Sequence, residues 1–93
     1  MENTMFSHES RILRILGSRP RLLIIDALSK REHNVTELVG LLGCDQTTCS
    51  KHLAILKAAS LVEDRREGSK TFYRLKNFGV INLLLHAKML ARQ

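Results

Sequence analysis

The stretch "GCDQTTCSKHLAILK", Gly43 to Lys57, concentrates the side chains best suited to chemistry. Cys44 and Cys49 lie five residues apart, and Gln46, Thr47, Ser50 and Lys51 are interleaved with them. Two thiols at that spacing can act as a redox or soft-metal pair, or simply as small apolar residues. Gln46 offers a donor and an acceptor on one plane, a match for adenine in a major groove. The hydroxyls of Thr47 and Ser50 can bond base edges or phosphate, and Lys51 supplies a point charge for the backbone. These roles are compatible only if one element turns the two sets in opposite directions.

A helix does that. Asp45 is its natural N-cap, and Cys49, Leu53, Leu56 and Ser60 recur at three- and four-residue spacing as the packed face. Gln46, Thr47, Ser50 and Lys51 then face outward, with Ala54 and Lys57 further along. With Asp45 as cap, Cys44 is N′ and Cys49 is N4, the two positions of a hydrophobic staple. That reading needs no thiol chemistry. The other reading is a thiol sensor, because the start of a helix favours thiolate, and oxidation or a bridging soft metal would distort this helix. Both remain open at this level.

The neighbouring segments supply the frame. Apolar residues at 5, 6, 12, 13, 15 and 16 predict an amphipathic first helix over 5–17, ending at Gly17. Ser18 is a candidate cap for a second helix, "RLLIIDALS", with Pro20 in its first turn. The polar "SKREHN" reads as the loop that closes it. Asn34 followed by Glu37 is a capping-box variant opening a third helix, "VTELVGLL", which Gly43 ends. The third and fourth helices, joined through Gly43, Cys44 and Asp45, form a helix-turn-helix over 34–58.

From Leu61 the period changes to that of strands, and 61–75 reads as a hairpin turning near Gly68. Val62, Phe72 and Leu75 are placed on its core side, with Arg65, Arg66, Lys70 and Arg74 toward water as a cationic wing. Asn77 is a candidate cap for the last helix, within 77–92, which is apolar around much of its circumference. A second copy of the chain is the expected cover for that surface. The whole of 1–93 is read as one domain, mainly α with a small β-hairpin: a winged helix-turn-helix.

Lys and Arg outnumber Asp and Glu by 15 to 9, a formal charge of +6 on 93 residues. That excess favours a polyanionic partner. The apolar runs "LLII" and "VINLLL" are too short to cross a bilayer, and "MENTMFSHESR" lacks the pattern of a signal peptide, so a cytoplasmic location is expected. No glycine-rich phosphate loop, tuned carboxylate pair or nucleophile with a base is present, so no enzyme is expected. The rival to DNA is a winged helix that docks a protein or RNA partner. The outward hydroxyls, amide and cations of the fourth helix favour DNA, since docking surfaces carry apolar anchors.

"LGSRPRLLIIDALS", "TELVGLLGCDQTTCSKHLAILKAASLV" and "DRREGSKTFYRL" together resemble the ArsR/SmtB family of winged-helix repressors, from about Ile12 to Leu75. The resemblance implies a homodimer joined through its first and last helices, bound to a palindromic operator and released by an inducer. It places DNA contacts on Gln46, Thr47, Thr48, Ser50, Lys51 and His52, with Arg65, Arg66 and Lys70 of the wing at the backbone. The family's arsenic-type site is a Cys-Val-Cys where this chain has Asn34, Val35 and Thr36. Its zinc-type positions correspond to Asn77, Gly79, Leu90 and Gln93, none a strong metal ligand. His8, His33, His52 and His86 are scattered, and no metal or other cofactor is expected.

Overall fold

The computed structural model describes residues 3–93. Five helices and three short strands follow in the order α1 (Ser7–Leu16), α2 (Arg19–Lys30), β1 (His33–Asn34), α3 (Val35–Leu42), α4 (Gln46–Ala58), β2 (Val62–Glu67), β3 (Lys70–Leu75) and α5 (Gly79–Ala91).

Local chemistry sets most of the boundaries. The Ser18 hydroxyl accepts from the Arg21 N–H at 3.4 Å, opening α2. Asn34 and Glu37 form a reciprocal capping box, each side chain accepting from the other's backbone N–H at 2.9 Å. Gly43 ends α3 at φ 67°, a left-handed conformation natural to glycine. Asp45 accepts from the Thr48 N–H at 2.7 Å and caps α4.

At its other end, α4 closes in a Schellman turn. Ser60 adopts φ 60°, its N–H reaches the Lys57 carbonyl at 2.9 Å, and the Leu61 N–H reaches the Leu56 carbonyl at 3.0 Å. Ser60 is therefore an exposed end of the helix, not part of its packed face.

Four other expectations need correction. Phe6 sits at φ 64° as the N-cap position of α1, so Met5 and Phe6 precede the helix rather than belonging to its face. The polar "SKREHN" is not a plain loop: His33 and Asn34 pair with Tyr73 and Phe72, making a three-stranded antiparallel sheet ordered β1-β3-β2. Asn34 is thus at once the end of a strand and the cap of α3. Register also moves Phe72. Val62 opposes Leu75 and Asp64 opposes Tyr73 on one face, while Arg65 opposes Phe72 on the other. Tyr73, not Phe72, packs against the core with Val62 and Leu75. Finally, Phe78 holds the N-cap position of α5, while Asn77 still contributes, its Oδ1 accepting from the Gly79 N–H at 3.0 Å.

The core lies where α2, α3, α4 and the base of the wing meet. Ile24, Ile25, Leu38, Leu53, Leu56, Val62 and Cys49 are its fully buried members. α2, α3 and β2 pack against one face of α4 and hold it there. Around the periphery α5 buries only Val80, leaving Leu83, Leu85, Met89 and Leu90 exposed. No helix among the described residues is long and apolar enough to cross a membrane.

Candidate nucleic-acid interface

Burial divides α4 cleanly. Cys49, Leu53 and Leu56 are inaccessible, at 0% exposure each, and the opposite side is open to solvent. Gln46, Thr47, Ser50, Lys51 and Ala54 together line one shallow surface there. These are the side chains that residue chemistry singled out for reading a groove, and the fold gathers them on one strip.

Thr48 and His52 lie off that strip, and each has a partner inside the protein. Hydrogen bonds from Thr48, its side chain first and then its N–H, hold the Asp45 carboxyl below its ordinary value. The Thr48 N–H thus serves the cap, while its side chain is exposed. The His52 ring Nδ1 is 3.1 Å from Nη1 of Arg21 on α2. Half-burial, and then the Arg21 charge, push the pKa of His52 below that of an ordinary histidine.

The wing is less cationic than its arginine count suggests. Arg65 lies over the Phe72 ring at 4.8 Å, and its guanidinium is committed to Glu67 and, at 3.0 Å, to Glu32 ahead of β1. Arg74 pairs with Glu63 at 2.7 Å. Both arginines lie on the sheet face turned away from Val62 and Asp64. Arg66 shares the face of Asp64, and Asp64 bonds Lys57 of α4 at 2.9 Å. Among the described residues, Arg66 and Lys70 are the wing cations with no carboxylate partner. Arg66 is on the side of the wing that meets α4. The Lys57–Asp64 pair, which raises the lysine pKa through the carboxylate's hydrogen bond and charge, fastens the wing to the end of α4.

Cys44 is half-buried against the core that Cys49 enters fully, and both are free. Burial pushes the Cys49 thiol up, and a charge on Cys44 would add to this. Desolvation disfavours the thiolate at that residue.

Several positions to which the resemblance would assign metal ligands serve the helix starts or lack a ligand atom. Asn34 Oδ1 is the cap of α3, Val35 and Thr36 bring no thiol, and Asn77 Oδ1 holds the start of α5. Among the described residues, no group of three or more His, Cys, Asp or Glu side chains comes together as a metal site.

Residue chemistry alone did not reveal Arg21 or Glu32. Each acts on a partner more than thirty residues along the chain, Arg21 on His52 and Glu32 on Arg65, so no local spacing marks them.

The family described as "Bacterial regulatory protein, arsR family" matches residues 18–64, just over half of the chain and all of the helix-turn-helix. The chain is similar to the HTH-type transcriptional regulator KmtR of Mycobacterium tuberculosis, with 38% identity over 82% of this chain and 58% of that protein. It is also similar to the HTH-type transcriptional repressor SmtB of that organism, with 37% identity over 82% of this chain and 56% of the repressor. It thus spans little more than half the length of either relative. Its fold is similar to the homodimeric winged helix-turn-helix DNA-binding domain of Mb0332 from Mycobacterium bovis, solved by NMR. There the TM-score is 0.82 at 29% identity, covering 99% of this chain and 88% of that one. With this match across the second helix, the helix-turn-helix and the start of the wing, the chain belongs to the ArsR family of bacterial regulatory proteins.

Proposed function

We propose that the chain is a homodimeric transcriptional repressor that reads a palindromic operator with α4. The observation that carries this reading is the outward strip of Gln46, Thr47, Ser50 and Lys51 on a helix whose other face is completely buried. Such a helix can enter a major groove without disturbing its own packing. Gln46 is assigned to a base edge, Thr47 and Ser50 to bases or phosphate, and Lys51 to phosphate. On the wing, Arg66 and Lys70 are assigned to the flanking backbone, and Arg65 to bracing the wing against Glu32.

The dimer is supported by the uncovered apolar surface of α1 and α5, where Leu13 is 56% exposed and Leu90 69%. The similar domain from Mycobacterium bovis is itself homodimeric. Two reading helices would then lie roughly one turn of duplex apart, ~34 Å. We assign Cys44 and Cys49 to the fold rather than to sensing, and no metal to either family position.

Fluorescence anisotropy on DNA from the chain's own promoter, across a range of salt, tests the reading. Gln46→Ala should weaken operator binding about ten- to a hundredfold, the weight of one lost bidentate base contact. Binding of the wild type should fall steeply as salt rises. An affinity indifferent to both DNA sequence and salt would sink it.

A further inference from the structure

We propose that Arg21 is a positioning residue of the DNA interface, which holds His52 as the tautomer that presents Nε2–H to an operator phosphate at the groove edge. This rests on the assignment of α4 as the reading helix.

Three observations lead there. First, the Arg21 guanidinium is held from two sides. Its Nε–H donates to the Ile15 carbonyl at 2.6 Å, and Nη1 meets His52 Nδ1 at 3.1 Å. Ile15 lies in the last turn of α1, where helix carbonyls lack intrahelical partners, so this anchor satisfies a group that needs a donor. Second, no carboxylate pairs with Arg21 among the described residues. Its polar contacts are the ones that fix the ring, besides its own backbone N–H at the Ser18 cap. Third, His52 is only half-buried and follows Lys51 on α4, on the flank between the groove strip and the packed face.

The chemistry then has one solution. A guanidinium donates and does not accept, and it stays protonated at any working pH. The hydrogen bond therefore requires a bare Nδ1 lone pair, and a neutral ring carries its proton on Nε2. Protonating Nδ1 would break the bond and set two cations face to face, which agrees in direction with the lowered pKa of His52. Arg21 thus delivers to the flank of α4 a rigid neutral donor instead of a rotating ring. A donor of this kind suits a phosphate oxygen, which lines the wall of the groove that α4 enters. The same guanidinium ties that donor to the end of α1.

The test combines ring nitrogen NMR with operator binding. In the free protein, His52 should be the Nε2–H tautomer and titrate below an ordinary histidine. In Arg21→Met, the two tautomers should mix and the titration should move up. By anisotropy, Arg21→Met and His52→Ala should each weaken operator binding about three- to tenfold, the weight of one hydrogen bond. The double variant should be no weaker than the worse single one, because Arg21 acts through the ring. Arg21→Gln keeps one donor and serves if Arg21→Met melts early. Losses that multiply would overturn the proposal, since Arg21 would then touch DNA on its own. A ring tautomer unchanged in Arg21→Met would overturn it as well. Gln46→Ala is measured in parallel: if it too leaves binding intact, the reading-helix assignment has failed and the DNA half of this proposal falls with it. The tautomer measurement needs no DNA and is judged separately.

Discussion

Cys49 sits in the core with no solvent contact, and burial raises its thiol pKa, while Cys44 keeps partial access. Thiolate is the reactive form, so these environments separate the two residues chemically. Iodoacetamide applied to the native protein near pH 7.5, followed by mass spectrometry, should label Cys44 and leave Cys49 until denaturant is added. Cys49→Ser should cost ~1–3 kcal/mol by urea melt, because a hydroxyl without a partner replaces a small apolar group. Cys44→Ser should stay within ~0.5 kcal/mol of wild type. Equal native labelling of both thiols would remove the structural assignment and return the pair to a sensing role.

At the scale of elements, the helix-turn-helix depends on two acidic groups at helix starts. Hydrogen bonds from Arg31, and then the Asn34 N–H, hold the Glu37 carboxyl below its ordinary value, as Thr48 does for Asp45. Both folded pKa values lie under the unfolded ones. The stabilisation is therefore complete above the unfolded values, ~4, and is lost as pH falls through the folded ones. Asp45→Asn keeps a capable N-cap but removes one titrating group. Urea melts between pH 6 and pH 2 should show a shallower acid loss for Asp45→Asn than for wild type. Identical slopes would mean that Asp45 contributes nothing through its charge. How far these starts were legible is plain from the residues. Ser18, Asn34, Glu37 and Asp45 each act on a backbone N–H three residues away, so their spacing was enough. The strand at His33–Asn34 was not legible, because only β3, nearly forty residues on, makes those residues a strand.

For the whole molecule, the uncovered surface decides the assembly. Leu13 and Leu83 line an apolar cleft between α1 and α5, together with Leu16, Leu22, Ile25 and Val80. A single chain leaves that cleft open, while a second copy could close it with equivalent helices. Sedimentation at tens of micromolar should give a dimer for wild type, and Leu83→Glu should shift it toward monomer. Operator binding of that variant should fall with it, because one reading helix then engages one half-site. A monomeric wild type under those conditions would exclude the dimer.

The sequence by itself determined the five helices, the caps Ser18, Asn34 and Asp45, the hairpin and the outward chemistry of Gln46, Thr47, Ser50 and Lys51. All of these follow from periodicity and from contacts within one helical turn. The family resemblance implied DNA contacts at Gln46, Thr47, Thr48, Ser50, Lys51 and His52, and of these Thr48 and His52 lie off the strip. Tertiary structure decided what depends on distant partners. It committed Arg65 to Glu32 and Arg74 to Glu63, left Arg66 on the side of α4, and turned Phe72 away from the core. It also joined Arg21 to His52, thirty-one residues on. A charged side chain is free or occupied according to what folding brings beside it, and a lone chain segment carries no record of that neighbour.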